Sequence, residues 1–277
     1  MTPIRGPLGN AAAATDPYST VVLAKAPVGY WRLGEIAGPA AADLSGNASD
    51  GTYYGGPDFG EPGAIANSSD TAIALHGSDS GDYIEIPDPD SAQFSQPASG
   101  AGLTVEVWMR PDVLSFSGQT TQPYIHWLGK GEAGRYEWGL RFYSSDAAAR
   151  PNRISAYIWN PSGGEGAGAY FEDHDLQPGA WIHIVACYDP GDLNTDPPAG
   201  VRIYRDGQLQ LGPPSPGTLY RNYGISPAHG SAPVRLGARD NLLLTLEGGL
   251  DEVAIYPRVL SDAEILENYT TGIAAPC

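Results

Sequence analysis

The sequence predicts an all-β protein built as a two-sheet antiparallel sandwich, and three observations predict it. Short apolar runs alternate with polar residues at period two, as in Tyr83-Ile84-Glu85-Ile86 and Thr104-Val105-Glu106-Val107-Trp108. Between those runs fall 36 glycines and 25 prolines, the residues that stop helices and make turns. No stretch of roughly 10–15 residues with helical periodicity separates one run from the next, so parallel βαβ winding is excluded.

Taken in order, residues 1–15 are rich in Pro, Gly and Ala and read as an arm. Asp16-Pro17 supplies an N-cap and a proline at the first helical position, and 18–24 continues as a short helix. Ala26-Pro27 ends it, because the residue before proline is pushed out of the α region. Residues 1–25 therefore form an arm with a short helix, and 26–277 form one β-sandwich domain. Strands are expected at 28–33, 72–75, 83–86, 103–110, 124–128, 138–143, 154–159, 181–188, 201–205, 234–236 and 250–256. Asp206-Gly207 should turn a hairpin into 208–211, since both turn positions need positive φ. Ser261-Asp262-Ala263-Glu264 is a capping box that starts a short C-terminal helix from Asp262 to about Tyr269, ending near Gly272. No internal repeat recurs at a fixed period.

Composition narrows the function. With 32 acidic and 15 basic side chains the formal charge is −17, and no basic run stands out. Phosphate neutralisation needs clustered Lys and Arg, so nucleic acid is excluded as a partner. No apolar stretch reaches the roughly 18–20 residues of a membrane span, so membrane insertion is not expected. Six Trp and sixteen Tyr within a 42% hydrophobic composition exclude a disordered chain. Cys187 lies in an apolar run and Cys277 is the last residue, which reads as a buried thiol plus a free terminal one. Residues 1–10 have neither a basic start nor an apolar segment, so no secretory leader is visible. Release by virion assembly and lysis is the expectation; the alternative is a secreted protein whose leader has been removed.

Several phrases together carry a family resemblance. Ala26-Pro27-Val28-Gly29-Tyr30-Trp31-Arg32-Leu33-Gly34-Glu35 precedes Asp43-Leu44-Ser45-Gly46-Asn47 and Asp50-Gly51-Thr52. Ala74-Leu75-His76-Gly77, Asp82-Tyr83-Ile84 and Thr104-Val105-Glu106-Val107-Trp108 follow. Trp181-Ile182-His183-Ile184-Val185-Ala186, Tyr204-Arg205-Asp206-Gly207 and Gly249-Leu250-Asp251-Glu252-Val253-Ala254-Ile255-Tyr256 complete the order, with Arg258-Val259-Leu260-Ser261 behind. Over about 26–270 the set resembles the laminin-G-like jelly-roll domains of the concanavalin-A-like lectin/glucanase superfamily. That resemblance implies the fold and leaves function open, because the fold hosts lectins, adhesion modules, hydrolases, lyases and virion proteins. Trp31, Trp108 and Trp181 are expected to point into the core, and the Asp43-to-Asn47 phrase to form a turn.

Glycosidases need two carboxylates about 5 to 9.5 Å apart. Glu106, the best strand carboxylate, has Trp108 rather than an acid two residues on, and reads as one outward polar residue on an alternating strand. No lyase set, Gly-x-Ser-x-Gly elbow or His-Glu-x-x-His helix is present, so the chain reads as a non-enzyme. Glu172-Asp173-His174-Asp175 falls between Gly-rich 163–168 and Pro178-Gly179 and reads as a hydrated loop. The resemblance implies a structural Ca²⁺ held by Asp251, a carbonyl near Gly51, and Asp43 or Glu35; Asp251 alternatively accepts backbone amides at a strand end. For sugar stacking the exposed candidates are Tyr53, Tyr54, Trp159 beside Asn160, Tyr170 and Phe171, although single aromatics pack more often than they bind. Loops 110–123, 160–180 and 190–200 are binding loops or tolerated insertions. Asn47, Asn67 and Asn268 match glycan acceptors that matter only in a eukaryotic secretory pathway.

The expected function is a non-catalytic interaction module on a bacteriophage virion surface. A capsid or tail protein would hold its arm, and cell-surface polysaccharide is a candidate ligand. The alternative is a secreted bacterial carbohydrate-binding or adhesion module, and a glycan hydrolase or lyase stands third.

Overall fold

Alternation decides which side chains meet between the sheets, and the structure, a computed structural model, shows two antiparallel sheets packed face to face. It describes residues 16–88, 93–95, 101–116, 123–133, 135–159, 166–189, 200–210, 218–221, 230–240, 242 and 244–275. Helix α1 (Pro17–Ala24) precedes β1 (Gly29–Trp31), β2 (Ala40–Ala41), β3 (Gly51–Tyr54), β4 (Asp58–Pro62), β5 (Thr71–His76) and β6 (Tyr83–Ile86). Then come β7 (Leu103–Pro111), β8 (Tyr124–Glu132), β9 (Arg135–Tyr143), β10 (Arg153–Trp159), β11 (Gly166–Glu172) and β12 (Ile182–Tyr188). The chain continues through β13 (Val201–Arg205), β14 (Gln208–Leu209), β15 (Thr218–Arg221), β16 (Val234–Leu236), β17 (Glu247–Tyr256) and α2 (Asp262–Gly272). The first sheet runs β14-β13-β12-β7-β17-β5-β4, with β1 also on β17; the second runs β15-β11-β10-β9-β8-β16-β6-β3-β2.

The core between the sheets takes one side of each strand. Val105, Val107 and Met109 of β7 and Ile182, Ile184 and Ala186 of β12 meet Trp138, Leu140 and Phe142 of β9 and Ile154, Ala156 and Ile158 of β10. A second apolar layer lies on the far side of the first sheet. There α1 and α2 bury Tyr18, Val22 and Ile265 against Trp108, Val185, Cys187, Tyr204 and Tyr256. Trp31 points into the core as expected. Trp108 and Trp181 do not: both belong to the helix-covered layer, because alternation turns them outward and the terminal helices then cover that face. Glu106 shares that outward direction, and the helices bury it completely instead of leaving it hydrated.

Both helices match the expected spans, and both start at capping boxes, Asp16 with Ser19 and Ser261 with Glu264. Asp206 and Gly207 take φ of 52° and 74°, as a tight hairpin with right-handed strand twist requires. The expected strands are all present, but β2, β3, β4, β11 and β15 were not foreseen. Strand β11 overturns the reading of 160–180 as a loop: Ala167, Ala169 and Phe171 alternate into the core, and Gly166, Gly168 and Tyr170 face out. Cys187 is a buried free thiol whose pKa burial pushes up to about 11, and Cys277 lies outside the described residues.

Candidate functional site

Helices cover the outer face of the first sheet; on the outer face of the second, Ser155, Tyr157 and Trp159 of β10 are buried too, and Tyr54 of β3 is exposed. The strand register puts Tyr170, Ser155, Arg141 and His126 opposite one another on β11, β10, β9 and β8. At the usual strand spacing that row is about 14 Å long. One row over, Tyr157 faces Gly168 and Gly139, and Trp159 faces Gly166.

The glycines make the floor of this site. A Cβ on Gly168 would meet the Tyr157 ring at 2.7 Å, and one on Gly166 would meet the Trp159 ring at 2.8 Å. Gly129 and Gly139 would press on the Arg239 side chain at 3.1 and 3.3 Å. Lacking side chains, these four positions let the rings and the guanidinium lie flat along the sheet. Tyr157 and Trp159 stack at 5.4 Å and 17°.

Two guanidiniums share this aromatic bed. Arg141 sits 4.6 Å from the Tyr124 ring, 4.3 Å from Tyr157 and 5.7 Å from Trp159. Arg239 sits 3.9 Å from Tyr136 and 4.9 Å from the same Trp159. Arg141 Nε donates to His126 Nε2 at 2.7 Å, so His126 carries its proton on Nδ1 and is neutral there. Burial, then the charges of Arg239 and Arg141, drive the His126 pKa far below its ordinary value. Arg239 pairs with Asp240 through Nε at 2.6 Å, and its buried Nη1 has no partner. Burial lowers the Arg239 pKa against the pull of Asp240, and Arg141 lowers it further.

The residues expected to stack on sugars divide. Tyr53 is buried, because β3 turns it into the core, and its hydroxyl donates to Glu35 Oε2 at 2.6 Å. Phe171 is likewise a core residue of β11. Both readings are corrected: alternation within a strand the sequence did not announce turns each ring into the core. Tyr54 is 41% exposed and stacks on Tyr83 at 4.8 Å and 10°. Trp159 is corrected as well: it is 5% exposed, buried among Tyr136, Tyr157 and the two guanidiniums, and Tyr170 lies beneath the Arg153 guanidinium at 3.8 Å. Asn160 and the loops at 160–165 and 190–199 lie outside the described residues. Arg141, Arg239, His126, Tyr124, Tyr136 and Tyr157 were missed; the available signal was Arg141 as an outward cation flanked by Leu140 and Phe142 on an aromatic strand.

The four residues named for calcium do not assemble. Asp43 is spent on its own turn: it accepts from the amides of Tyr30, Ser45 and Ser49 at 2.9–3.0 Å and from the Ser45 hydroxyl at 2.8 Å. Gly51 pairs with Ala41 inside the second sheet. Glu35 accepts from Ala42 N and Tyr53. Asp251 is buried at a bulge of β17; Oδ2 accepts from Ala64 N at 2.7 Å, and Oδ1 has no donor. Burial, then the charge of Glu252, raises its pKa well above the carboxylate range. A Cβ on Gly63 would meet the Asp70 carbonyl at 2.8 Å and Asp251 Oδ2 at 3.1 Å. The orphaned Oδ1 alone would suit a hard cation, while Oδ2, the oxygen facing Gly63, is engaged by Ala64 N. Asp70 pairs with Arg32 at 2.8 Å, and Glu35 is held by Ala42 N and Tyr53. Asp43 and Gly51 leave the set. The Glu172-to-Asp175 run is not simply hydrated: Glu172 pairs with Arg153 at 2.7 Å, and buried Asp173 pairs with Arg205 at 2.5 Å. No cluster of three His, Cys, Asp or Glu poised for a metal occurs among the described residues.

Residues 78–266 match a family model described as "Concanavalin A-like lectin/glucanases superfamily". No curated protein matches the sequence. Among solved structures, the chain resembles the receptor binding domain of botulinum neurotoxin mosaic serotype C/D at TM-score 0.59 and 12% identity, covering 89% of this chain and 51% of that one. The serotype D ligand binding domain in complex with N-acetylneuraminic acid gives 0.59 and 11%, over 92% and 52%. The type G receptor binding domain gives 0.54 and 15%, over 88% and 51%. The chain thus spans about half the length of these structures, and at such identities the likeness is one of fold: a lectin-like two-sheet sandwich.

Proposed function

The chain belongs to the concanavalin A-like lectin/glucanases superfamily, and from that premise we propose that it is a non-catalytic saccharide-binding module whose ligand lies on the outer face of the second sheet. The observation that carries this reading is the Tyr54–Tyr83 pair of β3 and β6, stacked at 4.8 Å and 10° on that face with Tyr54 41% exposed. Aromatic faces stack on the apolar faces of sugar rings, and guanidinium edges donate to sugar oxygens. Neighbouring structures carry N-acetylneuraminic acid and SialylT, which is in keeping with saccharide binding by this fold.

A non-catalytic role is supported by the state of the acids near this face. Glu85 pairs with Arg235, Glu172 with Arg153, Asp240 with Arg239 and Glu137 with Lys130. Glycoside hydrolysis needs a free carboxylate pair across one bond. His126, held neutral between two cations, is a poor proton donor.

The test is a glycan array read with the wild-type chain and with Tyr54→Ala. The expected result is a defined set of saccharide signals that the variant loses; no signal with the folded wild type would end this reading, and release of reducing sugar from a polysaccharide panel would overturn the non-catalytic role. The carrier of the module is proposed from the sequence alone. Residues 1–15, which lie outside the described residues, would dock it on a capsid or tail protein at a virion surface; a secreted bacterial adhesion module is the alternative. Removing residues 1–15 should abolish co-sedimentation with such a particle, and retained co-sedimentation would contradict docking by the arm.

A further inference from the structure

We infer that Lys130 and Asp88 condense with each other into an intramolecular isopeptide bond, with Glu137 carrying the protons. This lies apart from the saccharide-binding reading and does not rest on it.

Strand register brings the three groups together. Lys130 of β8 lies opposite Trp138 of β9, and Glu137 precedes Trp138. Val234 of β16 pairs with Lys130 on one side and with Ile86, the last residue of β6, on the other. Asp88 stands two residues beyond Ile86. Lys130 Nζ lies 3.1 Å from Asp88 Oδ2 and 3.3 Å from Glu137 Oε1. The Lys130 and Asp88 side chains are 0% exposed and that of Glu137 2%, so the amine and both acids are sealed from water. Residues 93–95 close over them: Gln93 N and Phe94 N donate to Asp88, and Ser95 Oγ donates to Glu137. Lys130 Nζ also donates to the carbonyls of Gly230 and Ala232.

One amine thus faces two buried carboxylates, and ionising all three would leave an excess negative charge out of reach of water. Burial raises the Glu137 pKa against the pull of Lys130, so Glu137 takes up a proton more readily than an ordinary carboxylate. In the condensation, Nζ gives a proton to Glu137 and its freed electron pair attacks Asp88 Cγ. Gln93 N, 3.2 Å from Oδ1, donates to the oxygen on which charge develops. The Nζ–Cγ bond forms and the Cγ–Oδ2 bond breaks. Oδ2 leaves as water with two protons that came from Nζ and passed through Glu137, which ends as it began. Ammonium and carboxylate become amide and water, and nothing is oxidised or reduced. Groups held in contact react with the high effective concentration of an intramolecular pair, and a dry site disfavours the reverse hydrolysis. The product ties the end of β6 to β8 across β16.

The test is intact-mass spectrometry of the purified full chain, followed by tryptic mapping. The expected wild type is lighter than its sequence by one water, with Lys130 uncleaved and its peptide branched to the one holding Asp88. Asp88→Ala and Glu137→Gln should keep their full sequence masses. Asp88→Asn should converge on the wild-type product mass, because ammonia then leaves in place of water. Thermal melts establish that each variant is folded, and where one is not, the wild-type mass decides. A folded wild type at its full sequence mass would overturn the inference, as would a branch joining Lys130 to Glu137. Loss of water retained in folded Glu137→Gln would overturn the role given to Glu137.

Discussion

Glu106 Oε1 lies 2.8 Å from His183 Nε2, with both side chains fully buried between the first sheet and the terminal helices. The same carboxylate accepts from Tyr18 of α1 at 3.0 Å, Tyr256 of β17 at 2.8 Å and Asn268 of α2 at 2.8 and 3.0 Å. One acid on β7 thus ties both helices to the sheet, and Trp108 Nε1 extends the network by donating to the Tyr18 hydroxyl at 3.0 Å. The covering of this face, which leaves the other sheet for ligand, depends on it.

Removing the charge should therefore be costly. Glu106→Ala leaves His183, Tyr18, Tyr256 and Asn268 facing an empty acceptor position, and breaking a buried network of this kind costs about 3–5 kcal/mol. Urea unfolding of the variant should show a midpoint shift of that size, and a change below about 1 kcal/mol would contradict the role given to Glu106.

The acid also sets a pH dependence. Burial alone would raise the Glu106 pKa, but His183, Tyr256 and Asn268 outweigh it and hold the group below its ordinary 4.5. A carboxylate lowered on folding contributes stability that is fully present above its unfolded value and is lost as pH falls through the folded one. The stability gap between wild type and Glu106→Gln should stay level from about pH 7 to pH 5 and narrow below about 4.5. Urea titrations at stepped pH read the gap directly; a gap that widens in acid would contradict the sign.

Tyr54 and Phe171 separate binding from packing. Phe171→Ala empties a core position and should destabilise the fold by about 3–5 kcal/mol. Tyr54→Ala removes an exposed stacking face, and should lower saccharide affinity by about tenfold, on the scale of a lost aromatic contact near 1.4 kcal/mol. Thermal melts and titrations on both variants should show these two losses falling on different proteins.

The cation site has its own pattern. Calcium should raise the melting midpoint of the wild type, with about 2.7 kcal/mol gained at a hundredfold excess over the dissociation constant. Asp251→Asn should abolish that response, whereas Asp43→Asn should keep it, because Asp43 serves its turn. A midpoint indifferent to calcium and to EDTA would remove the ion from the description.

Much of the fold was legible because alternation and turn chemistry are local. Tyr83 to Ile86, Leu103 to Arg110 and the capping box at Ser261 announce themselves within a few residues. Strand β11 did not, since Gly166 and Gly168 imitate a loop; they are small because Trp159 and Tyr157 lie across them. The candidate site was scarcely legible for a related reason. Arg141 and Arg239 stand 98 residues apart and meet only over Trp159, through registers among β8, β9 and β10 that no short pattern encodes. Glu106 looked like an ordinary outward residue because the helices that bury it lie at the two ends of the chain.

The central claim is that ligand occupies the outer face of the second sheet, and hydrogen–deuterium exchange with and without a bound saccharide tests it most directly. Added protection should concentrate in peptides covering Gly51–Tyr54 and Tyr83–Ile86, with the helix-covered strands Leu103–Pro111 and Ile182–Tyr188 unchanged. Protection confined to the first sheet or its helices, with those two peptides unaffected by a saccharide that binds, would contradict it.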